Sequence, residues 1–219
     1  MRWKSWFVGL ALTLGFALAQ SNSGTAFVRF AHLVPDAPAV DILSGGNKVF
    51  EAQGFKDVTY YAEVPAGNLT LSVQTTGQNP AKVADVSLRV QAGRYYTVMA
   101  LGTASSLRTQ VVEDRLAPAE GVAKVRIVHA SPDAPAVDVA LKGGPLLFRN
   151  LAFGQRSGYG TVRPGAYDLE VRPTGSPTVA LPLEGVAFEG GKVYSVFAVG
   201  RVADQSLEVV VVEDSFGSP

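Results

Sequence analysis

One phrase occurs twice in this sequence, and the internal repeat constrains the fold more than any other feature. VRFAHLVPDAPAVDI begins at Val28, VRIVHASPDAPAVDV begins at Val125, and ten of the fifteen positions are identical. Glycines and aromatic residues continue to match further along, and each copy closes on Val-Glu-Asp, at residues 112–114 and 212–214. A repeat of about 100 residues is longer than a solenoid unit, so each copy is expected to have its own core.

Apolar residues within each copy recur with a period of two. NLTLSVQT and AYDLEVRP alternate in this way, YYTVMALG, VYSVFAVG and LEVVVVED supply further apolar runs, and Gly- and Pro-containing turns separate them. Short strands spaced in this manner are typical of sandwiches. We therefore predict an all-β protein with two tandem antiparallel β-sandwich domains of seven or eight strands each. The connectivity is immunoglobulin-like or transthyretin-like, and the sequence does not distinguish these two.

The repeat also predicts the domain boundaries. Residues 26–114 form the first domain, residues 124–214 form the second, and residues 115–123, which contain Pro and Gly, form a linker. Residues 1–19 resemble a signal peptide, because Arg2 and Lys4 precede an apolar run that ends in Ala17-Leu18-Ala19. We expect a secreted, periplasmic or cell-surface bacterial protein without a membrane span after cleavage; the alternative is an uncleaved N-terminal anchor.

Composition narrows the function classes. The chain has 19 basic and 19 acidic residues, and loss of Arg2 and Lys4 would leave it slightly acidic. This balance argues against nucleic acid as a partner. The chain has no cysteine, so a disulfide framework is excluded and stability must come from buried apolar area.

The only two histidines, His32 and His129, occupy the same place in the repeated phrase. Each continues the apolar face of the first strand, so we expect a half-buried ring at the edge of the core. The Pro-Asp-Ala-Pro segment that follows is stiff, and the proline two residues after the aspartate cannot donate the usual turn hydrogen bond. We therefore expect Asp36 and Asp133 to accept from a later N–H, from water, or from the imidazole. The imidazole is the preferred partner, and such pairing favours its protonated form.

A hairpin across this turn would place Arg29 opposite Asp41 in the first copy. The equivalent pair in the second copy is Arg126 with Asp138. Exposed cross-strand pairs of this kind contribute about 0–1 kcal/mol and mainly fix the strand register.

Two interpretations of the repeated phrase remain. The first is a rigid structural corner with a satisfied histidine. The second is a small-ligand or cation site, present twice, whose members are His32, Asp36, Asp41, His129, Asp133 and Asp138. A structural zinc site is not expected, because each copy offers one histidine and no thiolate, and no calcium loop motif of the EF-hand type occurs. No metal or other cofactor is predicted.

Other signals are weaker. Phe55, Tyr60, Tyr61, Phe153 and Tyr159 are expected to pack in cores rather than to form a glycan platform. The Glu-Asp pairs that close each copy are adjacent, so their side chains point to opposite faces of a strand and suit a solvated strand end better than paired catalytic acids. The motifs of nucleophile elbows, zinc proteases and phosphate-binding loops are absent, so we expect no catalysis and no catalytic residues.

The phrases VRIVHASPDAPAVDV, LLFRNLAFGQRSGYGTV and RPGAYDLEVRPTG resemble the bacterial domain family of unknown function 4397. The resemblance covers nearly all of the chain after residue 25 and implies an exported or surface protein that carries one or several copies of the domain. It brings no catalytic residues. The first copy departs from the pattern, with Val34 where the second has Ser131.

Together these features predict an envelope protein with a structural, adhesive or partner-binding role. The partner is not identified by the sequence; a cell-wall polymer or another surface protein is the expected kind. The alternative is a small-ligand or cation-binding protein that uses the His/Asp corner of each repeat.

Overall fold

The computed structural model describes residues 24–214, and all of its regular elements are β-strands. The signal peptide expected at residues 1–19 lies outside the described residues. The first repeat forms eight strands: β1 (Thr25–His32), β2 (Val40–Ser44), β3 (Asn47–Gln53), β4 (Ala62–Pro65), β5 (Gly67–Thr75), β6 (Lys82–Val90), β7 (Tyr95–Thr103) and β8 (Ser106–Asp114). The second repeat forms eight more: β9 (Ala123–His129), β10 (Val137–Leu141), β11 (Leu146–Leu151), β12 (Gly160–Val162), β13 (Gly165–Pro173), β14 (Leu181–Phe188), β15 (Val193–Val199) and β16 (Glu208–Glu213).

Each repeat is a sandwich of two four-stranded sheets. The sheets have the orders β4-β1-β7-β8 and β3-β2-β5-β6 in the first repeat, and β12-β9-β15-β16 and β11-β10-β13-β14 in the second. The predicted all-β class with two sandwiches is confirmed. One pair in each repeat departs from the antiparallel expectation, because β1 runs parallel to β7 and β9 runs parallel to β15.

The strand order separates the two connectivities that the sequence left open. The immunoglobulin sandwich places its first strand beside the second, in the sheet order ABED. Here β1 lies between β4 and β7, and β2 belongs to the other sheet. The fold is therefore not immunoglobulin-like, and the transthyretin-like alternative remains of the two that we expected.

Each sandwich has its own apolar core, built from the side chains that point inward from its two sheets. Phe30, Ile42, Leu71 and Val98 are among the buried residues of the first core. The second core repeats this arrangement with Ile127, Val139, Val171 and Val196, among others. Burial of about 25 cal/mol per Å² of apolar surface makes these two cores the main source of stability.

A third apolar cluster joins the two repeats. It uses the opposite faces of β1, β7, β9 and β15, where Ala31, Met99, Val128 and Phe197 are buried against one another. The central strands of the β4-β1-β7-β8 and β12-β9-β15-β16 sheets are thus covered on both faces, and the four sheets form a stack. Double-sided burial explains why β7 and β15 read as continuous apolar runs rather than as alternating ones.

Candidate functional site

The two histidines are buried at structural corners. His32 is 1% exposed, its Nε2 lies 3.2 Å from the carbonyl oxygen of Pro38, and its Nδ1 lies 3.4 Å from the backbone nitrogen of Val34. His129 makes the same two contacts, with Pro135 at 3.0 Å and Ser131 at 3.3 Å. A neutral ring with its proton on Nε2 satisfies both partners, because Nε2 donates to the carbonyl and Nδ1 accepts the backbone N–H.

Burial lowers the pKa of His32 and of His129 below the ordinary histidine value, although the carbonyl contacts oppose the shift. The expected protonated form is therefore wrong, and so is the expected half-buried position. The turn places the proline carbonyl against the ring, so the ring is more deeply buried than strand alternation alone predicted.

The aspartates of the corner do not pair with the histidines. Asp36 accepts a hydrogen bond of 2.8 Å from the backbone N–H of Ala104, in the loop between β7 and β8. Asp133 accepts bonds of 2.9 and 3.0 Å from Val202 and Ala203, in the loop between β15 and β16. Burial favours the neutral acid, but the N–H donors outweigh it and lower the pKa of Asp133. The expected His–Asp pair is wrong, whereas the alternative of a later N–H is confirmed.

Asp41 and Asp138 hold a bulge in the neighbouring strand. Asp41 Oδ1 accepts from the backbone N–H of Ala52 at 2.9 Å and from the hydroxyl of Thr76 at 2.8 Å. Asp138 accepts from the backbone N–H of Asn150 at 2.8 Å. These bonds lower the pKa of both carboxylates. Ala52 and Asn150 have φ of 52° and 51°, so each aspartate stabilises a left-handed residue at an irregularity of the ladder.

The six residues of the expected ligand site therefore do not converge on one site. The histidines bind the proline carbonyl, Asp36 and Asp133 bind loop N–H groups, and Asp41 and Asp138 bind the bulge. The described residues include no group of three or more His, Cys, Asp or Glu side chains arranged to hold a metal ion. The corner interpretation accounts for every polar contact of the two histidines.

The described residues likewise contain no helix of the length and apolar character that crossing a bilayer requires.

A buried charge cluster joins the repeats where the sequence predicted exposed hairpin pairs. Arg29 is 1% exposed, and its Nη2 lies 2.6 Å from Asp214 Oδ1. Reciprocally, Arg126 Nη2 lies 2.6 Å from Asp114 Oδ1. The expected pairing of Arg29 with Asp41 and of Arg126 with Asp138 is wrong, because the strands before and after the corner enter different sheets. We call these four charged residues the inter-repeat clamp.

Hydroxyl groups complete the clamp on each side. Thr97 receives a 2.8 Å bond from Arg29 Nε and donates a 2.5 Å bond to Asp114 Oδ2, which also accepts from the Tyr61 hydroxyl at 2.7 Å. Ser195 and Tyr159 repeat these roles around Arg126 and Asp214. Asp114 Oδ1 has no well-directed hydrogen bond, so its contact with Arg126 is an ion pair.

The aromatic rings of the clamp lie against the arginines. The guanidinium carbon of Arg29 is 4.8 Å from the centre of the Tyr61 ring, and that of Arg126 is 4.9 Å from the Tyr159 ring. Burial and the adjacent carboxylates raise the pKa of both tyrosines far above the ordinary value. Burial opposes the charge of both arginines, but the carboxylates outweigh it and raise the pKa of each. Both guanidinium groups therefore stay charged at neutral pH.

Sequence reasoning missed the two aspartates of the clamp. Asp114 and Asp214 are buried, although a solvated strand end was expected, while Glu113 on the opposite strand face is exposed as predicted. The recurrence of Val-Glu-Asp at the end of both copies was the available signal. The aspartate recurs in both copies because each one neutralises the buried arginine of the other repeat.

The expected aromatic residues are divided between apolar packing and the clamp. Phe55 and Phe153 pack against the cluster that joins the repeats. Tyr61 and Tyr159 belong to the clamp. Tyr60 is 55% exposed and belongs to neither group.

One open cleft lies beside the clamp. It has a volume of about 800 Å³, and it is lined by residues from the end of β8, the linker, β9 and the segment before β12: Glu113, Arg115, Lys124, Arg126, Arg156, Ser157, Gly158 and Tyr159. We call it the linker cleft.

The fold and the clamp define a class of protein in which two copies of one β-sandwich are fused through a shared buried charge cluster. The sequence matches the family described as "Domain of unknown function (DUF4397)" over residues 26–140 and again over residues 123–219. The chain belongs to this family and carries two tandem copies of its domain. No curated protein matches the sequence.

Proposed function

We propose that this chain is an exported structural or adhesive protein of a bacterial cell envelope, which binds a cell-wall polymer or another surface protein without catalysis. The observation that carries the proposal is the inter-repeat clamp. Its buried charges and the apolar cluster beside it join two equivalent domains into one unit. Such a unit suits a spacer or cross-linking element, whose partners must be held at a fixed separation.

The order of the four sheets supports bridging between partners. The β3-β2-β5-β6 and β11-β10-β13-β14 sheets are the outer layers, because the other two sheets pack together in the centre. Their solvent faces therefore point in opposite directions. Two linked binding sites increase the affinity for one partner only when both sites reach it together. Because the two faces are opposed, we expect each face to bind a separate polymer strand or protein.

The solvent face of the outer sheet in the first repeat carries polar groups on β5 and β6. Thr70 and Ser72 on β5 form hydrogen bonds with Ser87 and Asp85 on β6. Hydroxyl and carboxylate groups fixed on a sheet surface suit contact with a hydrated polymer, which is bound through many weak polar interactions.

Co-sedimentation of residues 20–219 with insoluble peptidoglycan and with extracted envelope polysaccharide tests the proposal. We expect saturable binding to one of these polymers and a rise in pelleted polymer mass when the protein bridges strands. Release of soluble sugars by the protein, measured in the same supernatants, would contradict the non-catalytic role. Absence of the protein from the envelope and the medium in fractionated cells would contradict the proposed location.

A further inference from the structure

The linker cleft is rich in cationic groups. Arg115 comes from the linker, Lys124 from β9, and Arg156 from the segment that precedes β12. Arg126 at its inner wall is already neutralised by Asp114 in the clamp. The single carboxylate on its rim, Glu113, forms an ion pair of 3.2 Å with Arg94. The cleft therefore keeps an excess of positive charge in a chain whose total charge is balanced.

The cationic side chains of the cleft differ in their polar contacts. Within residues 24–214, no carboxylate forms an ion pair with Arg115 or Arg156, and both side chains are exposed. Lys124 instead donates to the carbonyl oxygens of Arg115 and Ala117, at 3.2 and 2.8 Å. This lysine fixes the linker against the second repeat, and so it fixes the position from which the Arg115 side chain extends.

The residues of the cleft can be compared with their counterparts in the first repeat. The counterparts are identified by the strand pairs and bridges that occur in both repeats. Lys124 pairs with Val193 as Phe27 pairs with Tyr95. Arg156 bridges to Val128 as Val58 bridges to Ala31. Two residues further on, Gly158 therefore corresponds to Tyr60. In the first repeat Phe27 stacks on Tyr95 with ring centres 4.5 Å apart, so a neutral aromatic residue stands where the second repeat has the cleft residue Lys124.

We propose that the linker cleft of the second repeat binds a ligand that carries two or more oxyanion groups, carboxylates or phosphates. Guanidinium groups recognise both kinds of oxyanion through paired N–H donors. Arg115 and Arg156 both line the 800 Å³ cleft, and neither forms an ion pair with a carboxylate among residues 24–214, so they provide two such positions. Gly158 leaves the entrance open, since nothing lies within 4 Å of the position that a Cβ would take there. This proposal does not depend on the envelope role.

Calorimetric titration of residues 20–219 tests the proposal, with tetragalacturonate as the carboxylate probe and tripolyphosphate as the phosphate probe. We expect saturable binding of at least one probe with a stoichiometry of one, and the probe that binds identifies the oxyanion. Raising the salt concentration should weaken binding, because the groups are close to solvent. Failure of both probes to bind at low salt would overturn the proposal.

Three variants distinguish a built site from general electrostatic attraction. The double variant Arg115→Gln/Arg156→Gln should weaken binding at least tenfold, whereas Arg89→Gln/Arg163→Gln removes the same charge from exposed positions outside the cleft and should leave binding within twofold. Gly158→Tyr introduces the residue found at the matching position of the first repeat; it fills the entrance without any change of charge. It should weaken binding as strongly as the double variant. Equal losses in the two double variants, or unchanged binding by a Gly158→Tyr protein with a normal melting temperature, would overturn the proposal.

Discussion

The guanidinium of Arg29 in the first repeat lies 2.6 Å from the carboxylate of Asp214 in the second, and both side chains are almost fully buried. Arg126 and Asp114 form the same contact in the opposite direction. Each repeat therefore contains an arginine whose counter-charge is supplied by the other. A buried ion pair adds little stability compared with apolar packing, but removal of one partner leaves an uncompensated charge. Reciprocal pairing thus makes correct docking a condition for the stability of both repeats.

Neutralisation of one carboxylate of the clamp should destabilise the whole protein. We expect Asp114→Asn and Asp214→Asn each to lower the free energy of unfolding by about 3–5 kcal/mol, because an arginine is then buried without its counter-charge. Urea denaturation followed by circular dichroism measures the loss. Glu113→Gln is the matched control, since its pair with Arg94 is exposed and should contribute about 0–1 kcal/mol. A loss in the clamp variants no larger than in the control would show that the clamp is not structural.

The shared cluster and the clamp should also make the two repeats unfold together. Scanning calorimetry of residues 20–219 is expected to show one transition whose calorimetric and van't Hoff enthalpies agree. Ile42→Ala in the first core and Val139→Ala in the second should each shift that same transition, since both side chains are buried in their own repeat. Two resolved transitions, each moved by only one of the variants, would be incompatible with this coupling.

Strand alternation and the repeat were sufficient to predict the fold class, and the reason is visible in particular elements. β5 and β13 lie at one side of a core and face solvent on the other, so NLTLSVQT and AYDLEVRP keep the period of two that burial of one face produces. The pairing of β1 with β7 was not predictable in this way, because a parallel pair between distant strands leaves no local pattern.

The contacts of the site were less predictable than the fold, again for physical reasons. The sequence placed Arg29 opposite Asp41 on the assumption that strands joined by a stiff turn pair with each other, but the turn carries the chain from one sheet to the other. The true partner, Asp214, is separated from Arg29 by 185 positions. Duplication hides such a contact, because each residue of the pair has an equivalent within its own repeat.

The corner histidines should stabilise the protein in their neutral form. His32→Ala and His129→Ala are each expected to cost about 2–3 kcal/mol, since a buried proline carbonyl loses its donor and a cavity is left. Thermal melts at pH 7.5 measure this loss. Glutamine variants, which retain a side-chain donor and acceptor, should recover part of it. Unchanged melts for both alanine variants would show that the rings do not support the corner.

The lowered pKa of these histidines gives the stability a predictable dependence on pH. The unfolded chain binds more protons than the folded chain once the pH falls below the ordinary histidine value of about 6.5, so stability is complete above that value and decreases below it. The lowered pKa of Asp41 and Asp138 acts only nearer pH 4. We expect the melting temperature to fall by a few degrees between pH 7.5 and 5. The double variant His32→Gln/His129→Gln should lose most of this dependence, and a double variant with the full dependence would assign it to other groups.

Divalent cations should leave the stability unchanged, because the corner carboxylates already accept backbone N–H donors. A cation that bound only the folded chain would raise the melting temperature by mass action. We therefore expect equal melts with calcium, zinc or EDTA. A cation-dependent rise that disappears in Asp36→Asn/Asp133→Asn would restore the cation site as the function of the repeated phrase.

Ala52 of the first repeat is less suited to its backbone conformation than its counterpart in the second repeat, Asn150. Ala52 and Asn150 occupy matching bulges with φ near 50°, and their backbone N–H groups bond Asp41 and Asp138. Asparagine tolerates the left-handed region better than alanine does. Ala52→Asn should therefore raise the free energy of unfolding by about 0.5–1 kcal/mol, and Asn150→Ala should lower it by a similar amount. Urea denaturation of both variants measures the two changes. Two variants that leave the unfolding free energy unchanged would show that the bulges are not strained.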